Sequence, residues 1–284
     1  MSSLEKPILT WFKKNKRDLP WRDTTPWGVM VSEYMLQQTP VNRVLPKWNE
    51  WMERWPTPKD LAKATPAQVI TAWGRLGYPR RALRLHAAAQ IIAEDFNNKV
   101  PEDQETLQLL PGIGEYTAAA IAAFAFEQRS LVMDVNIRRL LVRAIDGEEH
   151  PKPAPTAREK ARRLAILPEK NAHLWAAATM ELGALICTAK NPKCGQCPLA
   201  DQCIWRSLDY PLSDQPKRTQ SWHGTDRQCR GIIVQALREN SALTKREIMQ
   251  LWDVPSQVEK ALLTLLEDGL LVEQKGQRFS LPQR

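Results

Sequence analysis

The chain has 284 residues, of which 43% are hydrophobic and 25% charged, an ordinary globular composition that excludes collagen-like and wholly disordered chains. Its longest uninterrupted apolar run, residues 118–126, falls far short of the roughly 18 residues a membrane span needs. Glu5, Lys6 and the basic stretch at 13–17 leave no room for the apolar core of a secretory signal, and 40 Lys and Arg against 32 Asp and Glu give a net charge of +8. That excess fits a nucleic-acid partner and fits a solvated basic surface equally well. The expectation is a cytoplasmic monomer with no membrane partner.

Residues 1–206 read as helix after helix, separated by Pro, Gly and Asp/Thr punctuation. Pro26 and Pro40 bracket 27–39. A short amphipathic turn at 60–63 follows Pro56 and Pro58, and Pro66 opens a helix that runs through Trp73. The stretch 80–96 carries Leu83, Leu85, Ala88, Ile91 and Ile92 at helical spacing. Residues 118–126 are apolar all round, as a buried central helix would be, and a further helix is expected over 136–144. No period-2 strand pattern appears in this region. The eleven Trp are expected mostly as core or groove anchors.

Residues 210–224, with Pro211, Asp214, Pro216, Lys217, Arg218 and Gly224, read as a linker. Beyond it come a helix at 230–239 and a second at 244–252 opened by Thr244 and Glu247 as a capping box. A third follows at 256–266, then a hairpin of 270–274 and 277–281 turning at Lys275-Gly276. Three helices and a hairpin in that order look like a winged helix. The division is therefore a helical domain at 1–206, a linker at 207–226 and a winged-helix-like domain at 227–284. The small domain has a mild excess of Lys and Arg, which leaves DNA contact and protein scaffolding equally open.

Two local patterns carry chemistry. Cys187, Cys194, Cys197 and Cys203 form a C-x6-C-x2-C-x5-C run, and in a chain without a secretory signal such a group points to metal rather than disulfides. Four thiolates suit zinc and an iron–sulfur cluster alike; spacing does not separate them. Cys229 stands outside the group and reads as a small apolar residue. Lys190, Lys193 and Arg206 flank the loop, either to grip phosphate or simply solvated. The second pattern is Leu110-Pro111-Gly112-Ile113-Gly114. Pro111 stops one helix and the two glycines permit a tight turn. The next helix starts near Glu115, and its free N–H groups would point at an anion. A purely structural turn explains the same string.

The L-P-G-x-G turn followed by this Cys run in a helical chain resembles the helix–hairpin–helix DNA glycosylases that carry a [4Fe–4S] cluster. Over roughly residues 5–206 the chain is similar, more narrowly, to the MutY-type adenine glycosylases. That match is carried by Leu19-Pro20-Trp21-Arg22, Ser32-Glu33-Tyr34-Met35-Leu36-Gln37-Gln38-Thr39, Gly77-Tyr78, Leu110 to Gly114 with Tyr116, Asp134 with Asn136, and Glu181-Leu182-Gly183-Ala184. The resemblance implies an all-α glycosylase fold with a [4Fe–4S] cluster on Cys187, Cys194, Cys197 and Cys203. It also implies excision of adenine opposite 8-oxoguanine or guanine from double-stranded DNA, in base excision repair at the nucleoid. Two other readings use the same residues: a mismatch-specific thymine or uracil glycosylase, and a non-enzymatic iron–sulfur DNA-binding protein.

Cutting an N-glycosidic bond follows two-carboxylate logic: the base leaves neutral, and the sugar cation is stabilised. The resemblance implies Glu33 as the acid that protonates adenine. Its apolar neighbours Met30, Val31, Tyr34 and Met35 would raise its pKa by burial; a surface Glu on an amphipathic helix is the plain alternative. It implies Asp134 as the ionised carboxylate facing the sugar, where an ordinary N-cap is the alternative and both can hold. Tyr116 stands where strand-cleaving relatives have a Lys that forms a Schiff base with the sugar, so the chain is expected to leave an abasic site uncut. Some thymine glycosylases acting on T:G also have Tyr there.

Gln37, Gln38 and Tyr78 match positions that enter the duplex, Tyr78 as a wedge. Gly112, Gly114 and Asn136 match DNA contacts. Arg22 and Glu181 line the adenine pocket in relatives, or form a structural salt bridge. Arg80, Arg81, Arg84, Arg138 and Arg139 are phosphate contacts or solvated. The chain departs from the pattern at Val135, where relatives often have Gly or Thr, and at Pro79, where they often have a second Tyr. Many relatives carry a larger β-rich C-terminal domain that reads 8-oxoguanine; with a winged-helix-like segment from Lys217 onward, that device is expected to be absent or replaced here. Trp222 to Thr225 read as part of a disordered linker, with reach to the partner base as the alternative.

Overall fold

The computed structural model describes residues 4–213 and 222–283, so part of the expected linker lies outside the described residues. The helices are α1 (Glu5–Asn15), α2 (Pro26–Leu36), α3 (Val41–Arg54), α4 (Pro58–Ala62), α5 (Pro66–Trp73), α6 (Arg80–Asp95), α7 (Gln104–Leu109), α8 (Glu115–Phe126), α9 (Val135–Leu141), α10 (Ala157–Ala165), α11 (Ala172–Leu185), α12 (Ile204–Ser207), α13 (Asp226–Glu239), α14 (Lys245–Met249) and α15 (Pro255–Glu267). The strands are β1 (Leu243–Thr244), β2 (Val272–Gln274) and β3 (Arg278–Ser280). Among the described residues no helix is long and apolar enough to cross a membrane.

The described chain packs into two compact units that do not follow chain order: 4–29 with 102–109 and 113–213, and 30–101 with 110–112 and 222–283. The units divide within the expected 207–226 linker, but 222–283 packs with 30–101 rather than standing alone, because the C-terminal segment covers apolar residues of α5 and α6.

In the first unit, α1 lays Ile8 and Phe12 against Ala120 and Ala123 of α8, Ile137 and Leu140 of α9, and Trp175, Ala178 and Leu182 of α11. Each fully buried Leu or Ile contributes about 1.5–3 kcal/mol. The apolar α8 is buried through Ala123, and its last turn, Phe124 to Phe126, is only partly covered. The helix expected at 136–144 is cut short. After Leu141 the chain widens into a π-turn (Val142–Asp146) and stops at Gly147, whose φ is +74°. A Cβ there would meet Ile204 and Leu208 at 2.9 Å, so only glycine lets the chain turn this close to α12. A Cβ on Gly183 would lie 2.5 Å from the carbonyl oxygen of Asn136, so α9 and α11 cross with backbones nearly touching.

In the second unit, Trp51 meets Trp55 and Trp73 edge-to-face at 4.8 and 5.5 Å. A capping box of Thr65 and Gln68 starts α5. The C-terminal segment runs α13, β1, α14, α15, β2, β3, with sheet order β1-β3-β2, all antiparallel. The three expected helices and the hairpin are present, with α13 beginning at Asp226 under a Thr225 cap and α14 ending at Met249. The short strand β1, paired Leu243 to Phe279, was not expected. Ile233, Val234, Leu237, Ile248, Val258, Leu262, Leu265 and Phe279 form one core with Ile70 of α5. Cys229 is part of it and fully buried.

Candidate active site

Helix α2 is almost wholly inward-facing. Met30, Val31, Tyr34 and Met35 are each at most 1% exposed, and Glu33 among them is 6% exposed. The apolar neighbours expected from the sequence therefore surround a buried carboxyl group. Tyr34 donates its hydroxyl to the carbonyl of Pro111, and burial raises its pKa against the pull of Arg84.

The end of α2 is held by one side chain. Arg81, expected as a phosphate contact or a solvated cation, is buried and faces inward. Its guanidinium donates to the carbonyls of Tyr34 (3.0 Å), Met35 (3.3 Å) and Gln37, to Thr39 Oγ1 (3.0 Å), and to the carbonyls of Leu76 (3.4 Å) and Gly77 (3.1 Å). Burial lowers its pKa to about 10, so it stays charged at neutral pH. Carbonyls at a helix end need such a donor. The same arginine thus ties the Gln37–Gln38 segment to the turn carrying Tyr78. Gln37 is half-buried, Gln38 is exposed with φ +56°, and Tyr78 is 43% exposed with φ +47°. Trp73 Nε1 donates to Gly77 O at 2.9 Å, bracing that turn.

The 110–114 turn links α7 to α8. Gly112 has φ +88°, and a Cβ there would meet Arg84 Cβ and Tyr34 Cε1 at 3.0 Å. Gly114 is the N-cap of α8, with φ −102°, and a Cβ there would find nothing within 4 Å. One glycine is required by the fold; the other leaves the helix N-terminus open to an approaching group.

Asp134 is the N-cap of α9. Its Oδ1 accepts from the backbone N–H of Asn136 (2.7 Å) and Ile137 (2.8 Å), and its Oδ2 accepts from Asn136 Nδ2 (3.0 Å). Burial pushes its pKa above the ordinary 3.8, and these hydrogen bonds and the nearby Arg139 offset that only in part. The capping expected to keep the group ionised is present, but burial outweighs it. Val135, the departure noted in the sequence, points outward at 60% exposure. Tyr116 sits on the first turn of α8, partly buried against the first unit's core.

Glu181, on α11, is 2% exposed and forms ion pairs with Arg17 (2.7 Å) and Arg22 (3.0 Å). The salt-bridge alternative for Arg22 and Glu181 is what the structure contains. Arg17 is the partner that sequence reading missed; no motif singled it out. Burial alone would raise the Glu181 pKa, but the Arg17 hydrogen bonds and both charges bring it below its ordinary value.

Arg138 and Arg139 are corrected in the same way. Arg138 is buried and bidentate to Glu159, both bonds 2.8 Å. Arg139 is buried and donates to Cys187 O (2.7 Å), Gly183 O (2.6 Å) and Asn136 Oδ1 (2.9 Å). Neither faces solvent. Arg80 is exposed but paired with Asp268 at 2.8 Å, and Arg84 is exposed beside Gly112.

Cys187, Cys194, Cys197 and Cys203 line one hollow with Leu140, Ile186, Leu199, Trp205 and Arg143. Among the described residues no three His, Cys, Asp or Glu side chains are gathered closely enough for a single metal ion. Arg143, 1% exposed, stacks over the Trp205 ring at 4.4 Å and donates Nη1 to Cys187 Sγ at 3.4 Å. Its Nη2 is buried without a partner. Burial and the neighbouring thiols push the Cys197 pKa up to about 11. Four sulfurs around a hollow, with an orphaned cationic donor in its wall, fit a group that is larger than one ion and carries negative charge. Lys190 and Lys193 stand exposed on this loop, while Arg206 pairs with Asp201 at 3.4 Å.

Residues 31–165 match the HhH-GPD superfamily base excision DNA repair protein model, and residues 187–203 match the iron–sulfur binding domain of endonuclease III. The chain is 47% identical over 281 residues to an adenine DNA glycosylase of Mycobacterium tuberculosis, covering 97% of this chain and 92% of that one. It is 45% identical to one of Mycolicibacterium smegmatis, covering 96% and 94%. A solved thermostable thymine-DNA glycosylase superposes with a TM-score of 0.66 at 23% identity, over 72% of this chain and 95% of that one, which speaks for the fold alone.

Proposed function

The chain belongs to the adenine DNA glycosylases of the helix–hairpin–helix superfamily, and from that premise we propose which of its residues do the work. It is a base excision repair enzyme that removes adenine from DNA, and Cys187, Cys194, Cys197 and Cys203 hold its [4Fe–4S] cluster. A cluster held by these four thiolates would tie the 187–203 loop together, and Arg143 in the wall of the same hollow would offset its negative charge. No bond-breaking step needs it.

The proposed substrate is adenine opposite 8-oxoguanine or guanine, in duplex DNA at the nucleoid, handled by a monomer. The adenine leaves the stack before reaction. Glu33, buried on α2, donates a proton to the adenine ring. The N-glycosidic bond then breaks with its electron pair on the departing base, and the ionised Asp134 stabilises the positive charge left on the sugar. Water adds to that cation and gives up a proton to the Glu33 carboxylate, which restores the acid and leaves an abasic site and free adenine. The phenol of Tyr116 has no amine with which to form a Schiff base, so the strand stays intact. Gly112 and Gly114 shape the phosphate approach; Gln37, Gln38, Tyr78 and Asn136 take the DNA contacts. Arg22 belongs to the adenine pocket wall through its hold on Glu181.

The observation that carries this reading is Asp134 itself: a half-buried carboxylate, capped by two backbone N–H groups and braced by Asn136. Single-turnover cleavage of end-labelled duplexes, with and without alkali, tests it. The panel holds A opposite 8-oxoguanine, A:G, A:C, T:G and U:G. Alkali-dependent cuts at A are expected. Cuts at T or U would overturn the specificity, and cuts without alkali would overturn the absence of strand cleavage.

A further inference from the structure

Adenine excision gives the segment 222–283 no task, yet this segment is fastened to the helices that carry Tyr78. Ala67 N donates to Pro282 O at 2.7 Å, and Arg238 Nε to Ile70 O at 3.1 Å. Asp268 takes Arg80 of α6 on one oxygen (2.8 Å) and Arg230 of α13 on the other (2.5 Å). With the shared apolar core around Ile70, these contacts fix the first turn of α13 beside the Gly77–Tyr78 turn.

On that first turn, the Arg227 guanidinium lies over the Tyr78 ring, 4.5 Å from its centroid. The Trp222 ring lies 5.8 Å from the same guanidinium. Trp222 is 49% exposed and Tyr78 43%, so the aromatic–cation–aromatic group stands at the surface. Arg81 braces the Tyr78 ring as well, at 5.5 Å. The neighbouring Asp226 is occupied by Lys260 (2.6 Å) and Gln257 (3.2 Å).

We propose that Arg227 is a positioning residue for Tyr78, through which the C-terminal segment takes part in gripping the mispair. The proposal rests on the reading that Tyr78 enters the duplex. A ring that wedges between base pairs loses rotamer freedom on binding, and a ring already held loses less. A cation over its face supplies that hold. Part of the recognition of the mispair then falls to a helix that touches the wedge.

The test is a double-mutant cycle on full-length cluster-loaded protein. It compares wild type, Arg227→Ala, Arg227→Lys, Tyr78→Ala and Tyr78→Ala/Arg227→Ala. The probe is a duplex bearing a non-cleavable 2′-fluoro analogue of whichever base the wild type excises, in its mispair, with a fully paired duplex as reference. Arg227→Ala should weaken mispair binding about three- to tenfold and leave fully paired binding unchanged. Arg227→Lys should recover part of the loss, and Arg227→Ala should add nothing once Tyr78 is Ala. An equal loss on both duplexes, or an equal loss in the Tyr78→Ala background, would make Arg227 a direct phosphate contact and overturn the proposal. So would no loss at all. A wild type that excises thymine would overturn the adenine reading while leaving the cycle to decide this one.

Discussion

Arg17 holds Glu181 by three hydrogen bonds: its backbone N–H (2.7 Å) and Nε (3.0 Å) to Oε1, and Nη2 (2.7 Å) to Oε2. A carboxylate buried to 2% exposure is thereby stable as an anion between the start of the chain and α11. Because Arg17 itself is one-third exposed, part of the attraction is screened by solvent. Glu181→Ala should cost about 2–3 kcal/mol of stability, below the range for a fully buried pair. The Glu181 pKa is depressed from 4.5, so its contribution is complete above that value and is lost as pH falls through the folded-state pKa. Melting curves from pH 7 to pH 3 should show wild type and Glu181→Ala converging at the acid end.

Asp134 has the opposite sign. Its folded-state pKa lies above 3.8, so the protonated form is favoured by folding, and stability declines as pH rises from 3.8 through the folded value. At neutral pH the ionised group is a net cost to the fold. Asp134→Asn keeps a good N-cap and removes the charge. It should lower single-turnover excision by about 10² to 10⁴, with a melting temperature at pH 7 equal to or above wild type. A variant that is both inactive and strongly destabilised would contradict this.

The two glycines of the turn should separate. Gly112→Ala forces a Cβ onto φ +88° and against Arg84 and Tyr34 at 3.0 Å, at a cost of about 1–3 kcal/mol. Gly114→Ala meets open space at an ordinary φ, and its melting temperature should barely move. Its methyl group stands at the open N-terminus of α8, so its affinity for duplex DNA should fall several-fold. Thermal melts and anisotropy titrations at one fixed salt concentration read the two effects independently.

Arg81→Lys should be nearly as damaging as Arg81→Ala. Six acceptors surround the guanidinium, and an ammonium has three donors and no planar fork. Buried carbonyls left without donors cost about 1–3 kcal/mol each before relaxation, so denaturant midpoints of both variants should drop clearly below wild type.

Protein purified without oxygen should be brown, with broad absorbance near the blue, and should hold iron and sulfide rather than stoichiometric zinc. Cys197→Ser should lose that absorbance. Arg143→Ala should retain it at first and lose it faster under chelator, because the cationic wall of the hollow and its hydrogen bond to Cys187 Sγ are gone. Metal analysis with timed spectra checks both.

The helix starts were legible because Pro, Thr and capping boxes act locally; Pro66 and Thr65 alone define the head of α5. The cysteine spacing and the glycine turn were legible for the same reason. The arginines were not. Arg81, Arg138, Arg139 and Arg143 look like surface cations in a basic chain, and nothing local reveals that each is buried under carbonyl oxygens or a carboxylate supplied by distant segments. Arg17 was missed on the same account, since its partner lies 164 positions away. The strand β1 has two residues, too few for an alternating pattern. The π-turn after α9 was not legible either, because Gly147, which ends it, takes its meaning from Ile204 and Leu208, not from its neighbours in the chain.

The second unit is assembled from chain segments made far apart in time. Residues 30–101 leave the ribosome well before the helices and hairpin that cover Ile70 and cap α5, which are synthesised more than a hundred residues later. At roughly 5–20 residues per second that gap lasts on the order of ten seconds. During it the apolar side chains awaiting the C-terminus are exposed to chaperones and to one another. A ribosome that stalls between residues 206 and 226 would release a chain with its glycosylase motifs complete and one flank bare, so removal of such copies would be triggered by their stickiness rather than by their lack of activity.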